Sequence, residues 1–440
     1  MKSILAGLLA LVTLVWGLDI YSTTVPDGVS IWWLARKEGM YLTGMYSIVL
    51  MSFVMLLATR PAWLERPLGG MDRVYRLHKW SGILAISMAA AHWLIEMSGD
   101  VLKSLIGRAG RPPKEQYSGL IEALRDVAEE MGEFTIYIVL AMLVLTLWKR
   151  FPYKFWRYVH RIMPVVYLAL AFHAAMLAPS DYWTQPAGLL LGLSFGIGVI
   201  ASFMSLTGRI GRDRLVDGSV VSVSARDGNV AEVTCRLDEG WKGHRPGQFA
   251  FVTFDRLEGA HPFTIACADR GDRTVTFQIK ELGDYTRGLA HRVRPGQSVR
   301  VEGPYGRFDM ARRNPKAQQI WIAGGIGVTP FLAWLEELQR TPDQAPDADL
   351  HYCTRDREND GFVAQLEALC AKLPNVRLHI HGAEQGEVLT ADALLAAQGG
   401  KKHADVWFCG PRGLAEKIRE GLQRSWKGSL RFHQEAFEMR

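Results

Sequence analysis

Four histidines lie inside apolar segments, and they constrain the fold of this chain more than any other feature. His78 and His92 are fourteen residues apart, and His160 and His173 are thirteen apart. Each pair lies in a segment that predicts a membrane-spanning helix, where an ionisable side chain is costly and therefore indicates a function. Two helices with two histidines each offer two stacked sites with one ligand from each helix. That arrangement suits two haems, one towards each membrane face.

Other interpretations of these histidines carry less weight. A single buried histidine usually bonds to backbone or to a neighbouring helix, but four matched in spacing, depth and direction favour haem. A proton relay would recruit buried carboxylates, and only Glu96 and Glu133 lie near these segments. Five basic residues at the inner ends of the histidine helices could bind haem propionates, although simple anchoring accounts for most of them: Arg73, Arg76, Lys79, Arg157 and Arg161.

Six segments are apolar enough, and about long enough, to cross a bilayer at about 20 residues per span. They are residues 4–20, 40–58, 77–97, 131–148, 158–177 and 187–206. The first has the charge and apolar core of a signal peptide, but no convincing cleavage site follows it, so we keep it as a span. In the fifth span, thirteen helical steps turn His173 about 140° away from His160. We therefore predict a distortion near Pro164, which removes a helical hydrogen bond.

Basic loops predict the orientation, because Lys and Arg favour the cytoplasmic side. The second and fourth loops and the segment after the sixth span are basic, which places both termini in the cytoplasm. Loop 98–130 has mixed charges and is the discordant one. The orienting residues are Arg60, Arg66, Arg73, Arg76, Lys149, Arg150, Lys154, Arg157, Arg209, Arg212 and Arg214.

Composition separates a membrane half from a soluble half. Long apolar runs nearly vanish after Leu206 in a chain of 440 residues, and the net charge of +6 fits juxtamembrane basic residues rather than a nucleic-acid surface. No nucleic-acid motif is present. The cysteines lack C-x-x-C spacing, which argues against an iron–sulfur cluster and suits free thiols in a reducing compartment. They are Cys235, Cys267, Cys353, Cys370 and Cys409.

The soluble half predicts two domains. Short alternating segments at 219–225, 230–237, 248–254, 274–280 and 298–302 predict a small antiparallel β-barrel. From residue 319, strands at 319–323, 350–354, 376–381 and 406–409 alternate with helices, which predicts a doubly wound parallel α/β sheet. We therefore expect a membrane α-helical bundle of six spans at 1–208, a barrel at 209–312 and an α/β domain at 313–440.

Glycine-bearing turns follow two predicted strands of the α/β domain. G-G-I-G-V-T-P at 324–330 opens a helix, and C-G-P at 409–411 ends a later strand. Glycines let backbone approach a pyrophosphate, and a helix N-terminus attracts negative charge. The pattern is not G-x-G-x-x-G, so a tight strand-to-helix turn is a serious alternative. The barrel carries three further motifs: R-P-G-Q-F at 245–249, H-P-F-T-I at 261–265 and E-G-P-Y-G at 302–306.

In this order the motifs resemble the ferredoxin-NADP reductase superfamily. Together with the histidine spacing, the chain resembles the bacterial branch of the NADPH oxidase and ferric reductase family over almost its whole length. The resemblance implies FAD in the barrel, NADPH in the α/β domain, with NADH as second candidate, and two b-type haems in a bacterial inner membrane. It pairs His78 with His160 and His92 with His173.

The resemblance also implies roles for individual residues. The flavin ring is expected against His261, Pro262, Phe263 and Thr264, with Thr264 near its N5. The FAD phosphates are expected on residues 280–286, which include Lys280, Gly283, Tyr285 and Thr286. Further cofactor contacts are expected from Arg245, Gln248, Phe249, Ile265 and Gly303. The nicotinamide nucleotide is expected on Gly324, Gly325, Gly327, Val328, Thr329, Pro330, Cys409, Gly410 and Pro411. Phe437 is expected to cover the isoalloxazine until nicotinamide displaces it. Thr264, Cys409 and Phe437 are the predicted catalytic residues.

Thr354 and Arg355 follow the second parallel strand. A hydroxyl and a guanidinium there suit a 2′-phosphate and favour NADPH, although Asp356 comes next.

The sequence predicts transmembrane electron transfer from NADPH through FAD and two haems to an acceptor on the outer face. Dioxygen, giving superoxide, is the first candidate acceptor. A ferric chelate is the second, because Arg108, Arg111 and Lys114 could form a basic outer pocket. A membrane subunit serving a periplasmic partner is a further alternative, whereas complete flavin and nucleotide motifs argue against a non-catalytic haem or ion carrier. No EF-hand loop and no obligatory protein partner are evident, so activity is expected to be constitutive and limited by NADPH.

Overall fold

A computed structural model of the chain describes residues 2–23, 25, 27–113, 115–148, 150–227, 229–397 and 402–435, with backbone alone at 66, 153 and 154. The chain divides into two compact units, one ending at Ile210 and the other beginning at Gly211. The first is helical and the second contains two β-sheets.

The helical unit confirms the prediction of six spans. Its helices are α1 (Lys2–Ser22), α2 (Ile31–Ala58), α3 (Ala62–Leu68), α4 (Met71–Ile106), α5 (Leu120–Leu147), α6 (Tyr153–His160), α7 (Met163–Leu177) and α8 (Pro186–Leu206). Six segments are long and apolar enough to cross a membrane: α1, α2, α4, α5, α8 and the stretch Phe155–Leu177 that joins α6 to α7. Large apolar side chains of α8, such as Leu189 and Ile200, are more than half exposed, as a surface that faces lipid requires.

Three helices are much longer than their predicted spans, and one of them, α2, begins at Ile31 rather than at residue 40. α4 continues to Ile106 and α5 begins at Leu120, so most of the predicted loop 98–130 is helical. Hydropathy detects the apolar part of a helix, whereas a polar extension with charged residues such as Lys103 and Glu122 has no such signal. The connection between α4 and α5 is therefore short, from residue 107 to 119.

The predicted distortion of the fifth span is confirmed. α6 ends at His160 and α7 begins at Met163, with Pro164 in its first turn. Pro164 has no N–H to donate into the preceding turn, so a continuous helix would lack that bond and clash with the ring. The break is a short turn at Arg161 and Ile162, directly after His160, so His160 and His173 do not belong to one regular helix.

The second unit begins with an antiparallel sheet. Its strands are β1 (Leu215–Arg226), β2 (Val230–Leu237), β3 (Phe249–Thr253), β4 (His261–Thr264), β5 (Thr274–Lys280) and β6 (Ser298–Tyr305), with the short helix α9 (Leu289–Arg292) before β6. The order is β4-β3-β6-β1-β2-β5. Its two edges meet where Ile265 bridges Phe277 and the Ala266 N–H donates to the Thr276 carbonyl at 2.8 Å. The barrel is thus joined at that seam by a single bridge.

A five-stranded parallel sheet follows. It comprises β7 (Gln318–Gly324), α10 (Thr329–Arg340), β8 (Ala348–Thr354), α11 (Gly361–Cys370), β9 (Val376–Gly382), α12 (Ala391–Ala396), β10 (His403–Cys409), α13 (Arg412–Ser425) and β11 (Ser429–Glu435). The order is β11-β10-β7-β8-β9. α10 and α11 pack on one face and α12 and α13 on the other, which confirms the doubly wound fold class.

An aromatic cluster joins the two sheets of this unit. Phe308, in the connection between them, stacks on Trp334 with ring centroids 4.9 Å apart and meets Trp407 edge-on at 5.3 Å. The indole N–H of Trp334 donates to the carbonyl of Pro246 at 3.1 Å. Gly247 has a φ of +91°, and a Cβ there would overlap the Phe308 carbonyl. The R-P-G-Q-F turn is therefore shaped by the junction between the two domains.

Candidate functional site

The structure brings the four membrane histidines into two facing pairs. The ring centroids of His78 and His160 are 6.1 Å apart with planes at 79°, and those of His92 and His173 are 6.4 Å apart at 88°. A metal between two imidazoles, with bonds of about 2 Å and about 1 Å from each nitrogen to its ring centre, separates the centres by roughly 6 Å. Along α4 the two pairs are about 21 Å apart, at 1.5 Å per residue. These spacings fit one iron within each pair.

Hydrogen bonds define which nitrogen is presented by three of the four imidazoles, those of His78, His92 and His173. Nδ1 of His92 lies 2.8 Å from the Met40 carbonyl, and Nδ1 of His173 lies 2.7 Å from the Ala128 carbonyl. The corresponding distance from His78 to the Val54 carbonyl is 3.1 Å. Because a carbonyl only accepts, Nδ1 must carry the proton, which leaves the Nε2 lone pair for a metal.

His160 is held differently. Its ring stacks on Trp156 with centroids 4.7 Å apart, and its Nδ1 has no hydrogen-bond partner among the described residues.

Two glycines that the sequence analysis did not single out admit the imidazoles. Gly44 lies one helical turn after Met40, and Gly132 lies one turn after Ala128. A Cβ on Gly44 would lie 3.2 Å from Nδ1 of His92, and a Cβ on Gly132 would overlap the ring of His173. Each glycine exposes the carbonyl that its histidine bonds. A glycine inside a span, one turn after that carbonyl, is the sequence feature that could have indicated these two contacts.

Within the described residues, no three His, Cys, Asp or Glu side chains converge to hold a metal ion by themselves. Two histidines per site are sufficient for haem, because the porphyrin supplies the other four ligands.

Several of the predicted flavin residues lie on three neighbouring strands of the barrel, β4, β3 and β6. Thr264 on β4 is buried and is the register partner of Phe249 on β3, which in turn pairs with Tyr305 on β6. His261 stacks on Tyr285 with ring centroids 3.7 Å apart. The hydroxyl of Thr286 accepts from the N–H groups of Leu282 and Gly283. The structure therefore brings His261 and Tyr285 together and places Thr264 on the same strand as His261.

Other residues of the flavin motifs have structural contacts. Gln248 accepts from the backbone N–H of Arg245 at 2.8 Å, and the Arg245 guanidinium pairs with Asp309 at 3.1 Å. Ile265 is fully buried in the barrel core. A Cβ on Gly303 would lie 3.1 Å from that of Ala250. Sequence alone does not separate such supporting residues from those that face a ligand.

The two glycine turns of the parallel sheet pack against each other. A Cβ on Gly324 would lie 2.5 Å from Cδ of Pro411, and one on Gly410 would lie 2.9 Å from the Gly324 nitrogen. A Cβ on Gly327 would overlap the Cys409 carbonyl. Gly325, with a φ of +53°, has open space around it. The tight-turn interpretation therefore explains Gly324, Gly327 and Gly410, whereas Gly325 is accessible to a ligand.

The rest of this turn supports the helix. Val328, Thr329 and Pro330 are buried, and the Thr329 hydroxyl donates to the Ile326 carbonyl at 3.0 Å. The partly exposed residues of the turn are Gly325 and Ile326.

Cys409 ends β10 beside a carboxylate that the sequence analysis missed. Its register partner on β11 is Glu435, and a Cβ on Gly306 of the barrel would lie 2.9 Å from Oε1 of Glu435. Burial, with a smaller contribution from Glu435, raises the pKa of the Cys409 thiol, so it stays protonated at neutral pH. Thus a thiol and a carboxylate lie where the two sheets of the unit meet. Phe437 lies outside the described residues.

The predicted 2′-phosphate residues have acidic neighbours. The Thr354 hydroxyl donates to Oδ2 of Asp360 at 2.5 Å, and Arg355 pairs with Glu384 at 2.8 Å while its side chain is 89% exposed. Hydrogen bonds, the largest from Asn359, lower the pKa of Asp356. The Arg355 guanidinium at this edge is exposed but paired with Glu384, and the Thr354 hydroxyl beside it is bound to Asp360.

The basic clusters predicted at the membrane faces are partly engaged. Arg76 pairs with Asp72 at 2.8 Å, and the Arg161 guanidinium lies over the Tyr158 ring. In the predicted outer pocket, Arg111 lies over Trp33 and Arg108 is exposed, while Lys114 lies outside the described residues.

Comparison with protein families matches three consecutive parts of the chain. A ferric reductase like transmembrane component matches residues 43–171, an FAD-binding domain matches 216–309, and an oxidoreductase NAD-binding domain matches 321–420. The chain is therefore a multi-pass membrane oxidoreductase in which a ferric reductase-like transmembrane component precedes FAD- and NAD-binding domains. The predicted resemblance is confirmed at this level.

Individual relatives match parts of the chain. The carnitine monooxygenase reductase subunit of Escherichia coli is 33% identical over 34% of this chain and 46% of its own length. Two Arabidopsis thaliana proteins, respiratory burst oxidase homolog protein E and ferric reduction oxidase 8, are 28% and 26% identical over 42% and 43% of this chain. The chain spans 21% and 26% of their lengths, and less than half of each of these relatives.

Solved structures are similar at low identity. A flavohemoglobin from Malassezia yamatoensis, 14% identical, covers 92% of this chain and 100% of its own with a TM-score of 0.49. The ferredoxin reductase in carbazole 1,9a-dioxygenase is 20% identical and covers 51% of this chain and 69% of its own, with a TM-score of 0.42.

Proposed function

We propose that this chain oxidises NADPH on the cytoplasmic face of a bacterial inner membrane and transfers the electrons to an acceptor on the opposite face. Dioxygen, giving superoxide, is the first candidate acceptor. The observation that carries the proposal is the geometry of the two histidine pairs, which hold ring centroids 6.1 and 6.4 Å apart on helices able to span a membrane. The names of the two Arabidopsis relatives, an oxidase homolog and a ferric reduction oxidase, agree with it.

The histidine pairs would hold two b-type haems, one between His78 and His160 and one between His92 and His173. Bound flavin would accept a hydride and release single electrons, and the two haem irons would carry single electrons between the membrane faces. The carbonyls of Val54, Met40 and Ala128 fix three imidazoles with Nε2 available to metal. Because both histidines of a pair would hold the iron, the acceptor would receive its electron without binding to the metal.

In the second unit, FAD would lie on the barrel and the nicotinamide nucleotide on the parallel sheet. Thr264, from β4, would present its hydroxyl to the flavin ring. Cys409 stays a neutral thiol, so it would contact the nicotinamide without adding charge. Glu435 and Phe437 follow on the same C-terminal segment, which would complete the junction with a carboxylate and a covering ring.

The nucleotide donor is proposed to be NADPH, with NADH as second candidate. The exposed guanidinium of Arg355 is the group that favours a 2′-phosphate.

Two rival functions differ in the acceptor. Ferric-chelate reduction is supported by the second Arabidopsis relative and by exposed Arg108 near the predicted outer pocket. Electron donation to a separate periplasmic protein is supported by the reductase-subunit relative. A partner that co-purifies with the membrane protein would favour the latter.

An absorption spectrum of the detergent-solubilised protein with FAD and NADPH, first without and then with air, tests the proposal. We expect low-spin b-type bands that reduce with NADPH and reoxidise in air with superoxide formed. Slow reoxidation in air but rapid reoxidation by a ferric chelate would replace dioxygen with the chelate.

Exchange of His92 or His173 for alanine should remove one haem and leave NADPH-to-dye reduction intact. Retention of both haems would contradict the ligand assignment, and a spectrum without haem bands would contradict the proposed function.

A further inference from the structure

The Thr354 hydroxyl faces a carboxylate rather than solvent. Thr354 ends β8, and its Oγ1 lies 2.5 Å from Oδ2 of Asp360, the residue immediately before α11. The phenol of Tyr352 donates to the same oxygen at 2.8 Å. The other oxygen, Oδ1, accepts from the Phe362 N–H at 2.9 Å and caps α11. The Asp360 carboxylate therefore binds two hydroxyls at the end of β8 and one backbone N–H at the start of α11.

These contacts determine the direction of the hydroxyl proton. A carboxylate can only accept hydrogen bonds, so Thr354 must donate its single proton to Asp360. Tyr352 does not reverse the arrangement. Burial, followed by the charge and hydrogen bond of Asp360 and opposed by a hydrogen bond from Thr354, raises the pKa of Tyr352 and keeps the phenol a donor. The Thr354 proton is therefore held within this cluster. Thr354, which is partly exposed, is left with oxygen lone pairs for any ligand that approaches the end of β8.

The two nicotinamide nucleotides differ in what they offer at this position. The ribose 2′-hydroxyl of NADH can donate a hydrogen bond to a lone pair, whereas the 2′-phosphate of NADPH has only acceptors and a negative charge. We infer that Asp360 is a specificity-determining residue that favours NADH over NADPH by orienting the Thr354 proton away from the ligand. The inference rests on the proposed function, which places the adenosine ribose at the end of β8.

Arg355 acts in the opposite sense from Asp360. Its exposed guanidinium attracts a 2′-phosphate, and Glu384 holds it at the same edge of the sheet. The preference for NADPH or NADH thus depends on two opposing effects. The Arg355 guanidinium attracts a 2′-phosphate, whereas the Thr354 hydroxyl cannot donate to it because its proton is bonded to Asp360. The pattern of Thr354 and Arg355 predicts NADPH from sequence, but it does not include Asp360, the residue that orients the Thr354 proton.

The test uses the full-length protein and the variant Asp360→Asn. Asparagine caps helices as well as aspartate does, so α11 should be retained, while the Thr354 proton becomes free to rotate towards a phosphate. We expect the ratio of kcat/KM for NADPH to that for NADH, measured with an artificial dye acceptor, to rise by about tenfold, the effect of one hydrogen bond to a charged group. The change should lie in KM rather than kcat.

Asp356→Asn is the matched control. It removes the same charge next to Arg355, but Asp356 bonds Asn359 and Gln385 rather than Thr354. An equal shift in this variant would show that charge alone sets the preference and would overturn the inference. In the Thr354→Val background, Asp360→Asn should change the ratio of kcat/KM values only through the loss of charge, because no hydroxyl proton remains to be oriented.

Redox-silent binding separates this inference from the proposed function. Calorimetry with 2′,5′-ADP and with 5′-AMP should show that Asp360→Asn strengthens the first relative to the second. If both bind and their ratio does not change, the role of Asp360 is wrong while the nucleotide site stands. If the wild-type protein binds neither fragment and oxidises neither nucleotide, the proposed function itself fails.

Discussion

At the scale of residues, the membrane site depends on two glycines, which have no Cβ. His92 and His173 reach backbone carbonyls of α2 and α5 because Gly44 and Gly132 carry no Cβ one turn further on. Each imidazole can then donate to a carbonyl that already accepts a backbone hydrogen bond within α2 or α5. The tautomer follows from that bond, and the tautomer decides which nitrogen can bind a metal.

Replacing Gly132 with alanine should disrupt the His92–His173 pair selectively. The added methyl group overlaps the His173 ring, and overpacking of this kind typically costs about 1–3 kcal/mol. We expect the amplitude of the reduced-minus-oxidised haem spectrum to fall towards half. Gly196→Ala in α8 is the control, since its Cβ meets nothing within 4 Å and alanine favours a helix. Equal spectra for the two variants would contradict the role of Gly132.

A buried histidine of the parallel sheet predicts acid sensitivity. Burial, with His379 and His381 adding to it and Asp349 opposing, lowers the pKa of His351 to about 3. The unfolded chain takes up a proton near pH 6.5 and the folded chain does not. Stability should therefore fall as the pH falls from about 6.5 towards 3, by up to about 1.4 kcal/mol per pH unit.

Thermal release of FAD, followed by flavin fluorescence between pH 7 and 5, measures this dependence. His351→Gln should give a flatter profile than the wild type. The exposed His403, bonded to Ser429, provides His403→Gln as the control with an unchanged slope. A wild-type profile that rises on acidification would reverse the sign and disprove the assignment.

At the scale of elements, the break between α6 and α7 reconciles a thirteen-residue spacing with two facing pairs. In a continuous helix His160 and His173 would point about 140° apart. The interruption after His160, with Pro164 in the first turn of α7, removes that constraint. Both histidines then meet partners that α4 presents fourteen residues apart.

Pro164→Ala should therefore affect the His78–His160 pair most. Alanine restores an N–H and allows α6 and α7 to merge, which would rotate His160 away from His78. We expect loss of one haem band with the other retained. The control is Pro186→Ala, because Pro186 also lies in the first turn of a helix, α8, but next to no histidine. A normal spectrum in Pro164→Ala would mean that other packing fixes the break.

At the scale of the whole molecule, the two units have separate cores. The second unit buries its apolar residues within the barrel and on both faces of the parallel sheet, and Phe308 joins its two domains. Nothing in these cores requires a membrane. The proposed flavin chemistry and the proposed haem sites are therefore expected to separate when the chain is divided after Ile210.

Residues 211–440 expressed alone should fold, bind FAD and reduce ferricyanide with NADPH, without haem. The full-length protein, assayed with the same dye, provides the reference, and kcat should agree within a few-fold. Insoluble or flavin-free material would show that the second unit depends on the first.

The sequence by itself determined the architecture, because it depends on periodicity and composition. Six apolar runs, the change from alternating strands to strand-and-helix alternation, and the order of the motifs fix the spans, the two β-domains and the class of oxidoreductase. Pro164 even marked the break in the fifth span, since the loss of one backbone N–H is a local property. β11 was missed because its polar edge-strand sequence lacks the apolar run of a central parallel strand.

The tertiary structure decided which residues of each motif are held in contacts within the protein and which have open space beside them. Gly324, Gly327 and Gly410 are needed where two backbone turns touch, whereas Gly325 has open space around it. Gly247 is needed because a Cβ there would overlap the carbonyl of Phe308. Glu435 reaches the junction, and Asp360 turns the Thr354 proton, through contacts between distant segments. Spacing along the chain carries no information about such close approaches, because they depend on how separate elements pack and not on the local propensities that form them.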